Sequence, residues 1–142
     1  MRCGHTLFEL CAVLLLVSIA LSVAVPAGRG LRDRMAVVAA REAVAGLVAE
    51  ARMAAVTHGG ARVWLEAGPW RCWIEIGDSV SASAALERDL GVVVSLSRER
   101  RGTTLEYDAL GLGSVASETL RFQRGDQQSV LVVSGYGRLR RP

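Results

Sequence analysis

The 142-residue sequence contains no lysine, since all seventeen basic residues are arginine. That bias excludes little, because nothing in a fold demands one cation over the other, and it reads first as a coding habit. Histidine is scarce as well, with His5 and His58 the whole supply. Cysteine occurs three times, as Cys3, Cys11 and Cys72, which is too few for a disulfide framework. Cys11 lies in an apolar run, so Cys72 stands alone in the remaining domain and a disulfide within that domain is excluded. No paired Cys or His spacing suits a metal, and no nucleophile has a recognisable base nearby. Neither an enzyme nor a cofactor is expected.

What is present is apolar. Hydrophobic residues make up 51% of the chain and mean hydropathy is +0.29, which implies a sizeable core or a membrane segment and argues against disorder. The length suits one domain of ordinary size. The net charge of +3 is unevenly spread. From residue 61 to residue 120, six arginines face nine acids, whereas Arg121, Arg124, Arg138, Arg140 and Arg141 face only Asp126. A basic end on a mildly acidic domain is either an anion-binding patch or a solvated terminal strand.

Leu10 to Val25 is continuous apolar sequence interrupted only by Ser18 and Ser22, and counted from Leu7 it reaches the ~20 residues of a bilayer span. One acid, Glu9, stands near its start. A secretory signal peptide would use Arg2 as its basic region and Val25-Pro26-Ala27 as its cleavage region, giving a soluble mature domain that begins at Gly28. That reading leaves Glu9 unexplained. A lipoprotein signal is set aside, because Phe8-Glu9-Leu10 is not the small-residue context that lipidation of Cys11 requires. The third reading uses the acid. A carboxylate in a bilayer costs at least ~2.5 to 3.5 kcal/mol, so it signals function where a cation can meet it. Cleavage after Gly4 would make that cation, the α-amino group of His5, about one helical turn from Glu9. Parallel helices offset along a filament axis can pair the two charges again.

Gly4-His5-Thr6-Leu7-Phe8-Glu9-Leu10 resembles the type III signal of type IV pilins and type II secretion pseudopilins. The resemblance implies a single-pass protein of the inner (cytoplasmic) membrane with its globular domain outside the cytoplasm. It implies cleavage after Gly4 by prepilin peptidase, N-methylation of His5, and a role for Glu9 in assembly with other pilins or pseudopilins. His5 departs from the family's usual Phe or Met at that position. Pro26 falls where many pilins carry a helix-bending proline.

Leu31 to Thr57 is Ala-rich and interrupted only by Gly46, which favours helix. Val37, Ala40, Val44, Leu47, Ala51 and Ala54 recur at three- and four-residue steps, and His58-Gly59-Gly60 ends the element. Beyond Gly60 the period becomes two. The stretches 61–67 and 70–76 predict a hairpin about Gly68-Pro69, with Trp70, Cys72, Ile74 and Ile76 on one face. Residues 79–87 read as a Ser/Ala-rich loop with a short helical turn. Strands are expected at 91–97 and 103–107, a glycine-rich connection at 108–117, a second hairpin over 118–135, and a short terminal strand. Helix first and strands afterwards predicts α+β with a long N-terminal helix on an antiparallel sheet. The expected divisions are a leader at 1–4, a transmembrane or filament-core helix at 5–26, an amphipathic half at 27–60 and a β domain at 61–142.

This layout resembles the GspH/FimT-type minor pilins and pseudopilins, through the Ala/Arg-rich helix, "LEYDALGLGS", and the ending "LRFQRGDQQSVLVVSGYGRLRR". A structural subunit of a type II secretion pseudopilus or a type IV pilus is the function implied. Gly137-Arg138-Leu139-Arg140 resembles the ending of DNA-binding FimT-type pilins of natural transformation. In a strand, Arg138 and Arg140 project to one side, two guanidinium forks for consecutive phosphates of double-stranded DNA, with Arg121, Arg124 and Arg141 nearby. His58 reads as an exposed helix end, and Gly111 to Ser114 lacks the strand-to-helix context of a phosphate cradle. Trp64, Trp70 and Trp73 form either a stacking surface or a hairpin core with one partly exposed ring.

Overall fold

The computed structural model describes residues 7–66, 68, 70–97, 102–114 and 117–142. Gly4 and His5 lie outside the described residues. The chain opens with helix α1 (Leu7–His58), which is continuous through Pro26. Strands β1 (Gly60–Glu66), β2 (Arg71–Ile76) and β3 (Ser79–Ala85) follow, then the short helix α2 (Leu86–Leu90) and β4 (Val93–Leu96). The remaining strands are β5 (Gly102–Asp108), β6 (Glu118–Arg124), β7 (Gln127–Val133) and β8 (Leu139–Arg140). Two compact units emerge, Met1–Arg32 and Asp33–Pro142.

In the first unit the helix is apolar on all sides from Leu10 to Val25, apart from Ser18 and Ser22. Leu14, Leu15, Leu16 and Ile19 are each more than half exposed. Both serines return their hydroxyls to the helix: Ser18 Oγ donates to the Leu14 carbonyl at 2.8 Å and Ser22 Oγ to that of Ile19 at 2.7 Å. Such back-bonding leaves no unsatisfied hydroxyl donor on an apolar surface. Among the described residues, α1 is long and apolar enough to cross a membrane.

In the second unit the helix becomes amphipathic, and its buried positions are Val37, Ala40, Val44, Ala45, Leu47, Val48, Ala51 and Ala55. That spacing is a single stripe of a 3.6-residue period. Ala55 is buried and Ala54 only partly so, a shift of one position from the predicted face. The helix ends where the paired glycines predict: the Gly59 amide donates to the Ala55 carbonyl at 2.9 Å, and Gly59 adopts φ 85°.

The strands form two four-stranded antiparallel sheets, with orders β3-β2-β1-β5 and β4-β6-β7-β8, where a single sheet was expected. The two hairpins were legible, but the partition was not, because sheet membership depends on long-range pairing of β1 with β5 and of β4 with β6. Residues 79–85 are a strand and not the expected loop; the short helical turn is α2, directly after it. The inner faces of both sheets close one core with the helix stripe. Val63, Ile74, Leu105, Leu120, Phe122 and Leu131 are all completely buried in it. Burying side chains of this size stabilises the fold by about 1.5–3 kcal/mol each, an upper bound against an extended unfolded chain. Glu118 is the acid inside this layer, and its carboxylate accepts from the Ser97 amide at 3.0 Å and the Ser97 hydroxyl at 2.6 Å.

Candidate functional site

Glu9 lies in the first turn of α1, at the start of the exposed apolar surface. The side chains that follow it have no core of their own in the Met1–Arg32 unit, so this surface needs lipid or other apolar helices around it.

The basic end divides by partner. Arg121 is opposed to Val130 across β6 and β7, and Arg140 is opposed to Val132 across β7 and β8. Val130 and Val132 are two residues apart, so both arginines project from the outer face of this sheet. Arg138 precedes Arg140 by two residues and is exposed like it, while Leu139 between them packs inward. A β-turn sets this geometry: the Gly137 amide donates to the Ser134 carbonyl at 2.8 Å, and Ser134 Oγ accepts from the Arg138 amide at 3.1 Å. Arg121 and Arg140 are thereby presented on one face, with Arg138 exposed beside them at the turn.

The other two are taken up by helix acids. Arg124 Nε lies 2.9 Å from Asp33 Oδ1, and its Nη1 donates to the Leu90 carbonyl. Arg141 Nη2 lies 2.9 Å from Glu42 Oε2, and Arg41 shares Glu42 while donating to Ser129 Oγ. These pairs tie β6, β7 and the C-terminus to α1. Sequence spacing gives no sign of them, because they join residues about a hundred positions apart, as with Glu42 and Arg141.

The glycine-rich connection is packed against the C-terminal turn. Asp108 Oδ1 accepts from the Leu110 and Leu112 amides at 2.9 and 2.8 Å, and Arg52 Nε holds the Gly111 carbonyl at 3.1 Å. Gly113 bridges Tyr107 and faces Gly137 so closely that a Cβ on Gly113 would sit 2.8 Å from the Gly137 nitrogen. Tyr107 is buried here, its hydroxyl has no hydrogen-bond partner among the described residues, and burial pushes the phenol up to about 12 against a smaller opposing effect of Arg52. Burial likewise raises the Cys72 thiol to about 11, partly offset by its bond to the Ala84 carbonyl. His58 is exposed at the helix end, with Nδ1 hydrogen-bonded to the Ala54 carbonyl. Among the described residues, no group of three or more His, Cys, Asp or Glu side chains gathers to hold a metal.

The tryptophans divide as well. Trp70 is buried, whereas Trp64 and Trp73 stack on the outer face of the first sheet with centroids 6.0 Å apart. Two rings, not one, therefore lie outside the core. Their alternation with Leu65 and Cys72 in adjacent strands was the available signal.

A long N-terminal helix laid on antiparallel sheet is the type IV pilin fold. The solved type IV minor pilin FimU of Pseudomonas aeruginosa (strain PAO1) matches with a TM-score of 0.54, over 73% of this chain and 90% of that one. The two sequences are 18% identical, so the likeness is one of fold. No protein-family model matches the chain, and no curated protein matches it at a significant level.

Proposed function

We propose that this chain is a minor pilin or pseudopilin, of the GspH/FimT type, built into a type IV pilus or a type II secretion pseudopilus. The observation that carries the reading is the exposed, all-round apolar helix that continues into a domain with the pilin fold. Before assembly that helix anchors the protein in the inner membrane. Prepilin peptidase cuts after Gly4, His5 becomes the N-methylated terminus, and residues 5–26 pass from lipid into the filament core. Glu9 is compensated there by a terminal amine. Intact-mass measurement after co-expression with a prepilin peptidase tests this, with a methylated chain starting at His5 expected. A chain starting at Gly28 supports a Sec-secreted soluble β domain instead.

One observation favours a second role on the same scaffold. Arg121 and Arg140 share the outer face of one sheet, and Arg138 is exposed immediately before its last strand. That arrangement suits a phosphodiester backbone, gripped without sequence preference and released by salt. In a gel-shift assay with duplex DNA, the double variant Arg138→Ala, Arg140→Ala loses a salt-sensitive shift if the chain takes up DNA. A secretion pseudopilin gives no shift in either form.

A further inference from the structure

The outer face of the first sheet carries a group of side chains that neither membrane anchoring nor the arginine face uses. Trp64 and Trp73 are directly opposed on β1 and β2, with ring planes within 9° of parallel. Trp64 Nε1 donates to Glu75 Oε2, which fixes the tilt of that ring. Two open grooves meet at Trp73 and Glu66. One, of about 400 Å³, includes Trp64, Thr103 and Thr104; the other, of about 440 Å³, includes Arg71, Ser83 and Arg88. Each falls in the ~300–1,000 Å³ range of small-ligand sites.

The chemistry of this face selects among ligands. A fixed indole presents a flat apolar plane with an electron-rich face. A pyranose ring matches it, because one side of the sugar is a patch of polarised C–H bonds and its rim is hydroxyl. Glu66 and Thr104, on the same face as Trp64, supply acceptors and a donor for that rim. In the adjoining groove, Arg71 and Arg88 supply guanidinium forks suited to a carboxylate. A purely cationic peptide would meet those two arginines as like charges. Single-stranded nucleic acid would meet the same two arginines through its phosphodiesters, so it belongs in the test as the competing ligand.

We propose that the stacked pair of Trp64 and Trp73 is the aromatic wall of a binding site for an acidic polysaccharide, with sugar rings against the open faces of the indoles, hydroxyls held by Glu66 and Thr104, and a sugar carboxylate held by Arg71 and Arg88. The site is independent of how the N-terminus is processed. The full-length chain in lipid nanodiscs, free of sugar-based detergent, is titrated with hexagalacturonate and with neutral cellohexaose while tryptophan emission is followed. Hexagalacturonate is expected to give a saturable change and to bind more tightly than cellohexaose. Trp73→Ala weakens binding about tenfold or more, and Arg88→Ala, at an exposed position, abolishes the preference for the acidic sugar while leaving the fold intact. Absence of a saturable change, equal affinity for the two hexamers, or an unchanged preference in Arg88→Ala overturns the proposal. A tighter response to an oligoarginine peptide or to single-stranded DNA does so too.

Discussion

Tyr107 shows how tightly single residues are constrained beneath the C-terminal turn. Its hydroxyl is buried without a partner among the described residues, so Tyr107→Phe removes a desolvated polar group and leaves the contacts of the ring. Chemical denaturation is expected to show stability raised by about 1 kcal/mol. The neighbouring glycines behave oppositely. Gly137 adopts φ 73°, and a Cβ there would lie 2.5 Å from Tyr107 Cε1, so Gly137→Ala is strained both in backbone and in space. A loss of about 1–3 kcal/mol is expected in the same measurement. Cys72 adds a pH dependence. Its thiol rises from an ordinary 9.0 to about 11 in the folded state, so the folded chain holds the proton after the unfolded chain has released it. The stability this contributes is complete below pH 9 and is lost as pH climbs through 11, by about 3 kcal/mol in all. Cys72→Ala flattens the decline between pH 9 and 11, and Tyr107→Phe flattens the part above pH 10, since that phenol rises from 10.0 to about 12.

Among the elements, α1 was the most legible, because Val37, Ala40, Val44, Leu47 and Ala51 repeat with the helical period over about four turns and Gly59 closes it. The hairpin of β1 and β2 was legible for the parallel reason: apolar residues alternate with Arg62, Trp64 and Glu66 in the first strand and with Arg71 and Trp73 in the second. β3 was not. Ser79 to Ala85 contains no strong strand former except Val80, and it is extended because β2 offers it a free edge, a tertiary cause that local propensity does not record. The arginine face was legible only in part. Alternation identified Arg138 and Arg140, but only folding brings Asp33 to Arg124 and Glu42 to Arg141. These pairs are partly exposed, and Asp33→Asn is expected to cost no more than about 1 kcal/mol in thermal or chemical denaturation.

For the whole molecule, the account joins an apolar helix that finds no core in its own unit to a domain that closes its own. The exposed apolar run from Leu7 to Val25 needs lipid or other apolar helices around it. Glu9→Val is expected to leave a stable membrane protein that enters filaments poorly, measured by the fraction of subunit recovered in sheared or crosslinked fibres. Gly4→Ala is expected to block maturation without blocking insertion, read as a retained leader on a membrane-bound chain. The intact mass of the wild-type protein, recovered from cells containing a prepilin peptidase, tests the central claim most directly. A chain that begins with a singly methylated His5 is the expected result; a chain that begins at Gly28 contradicts it.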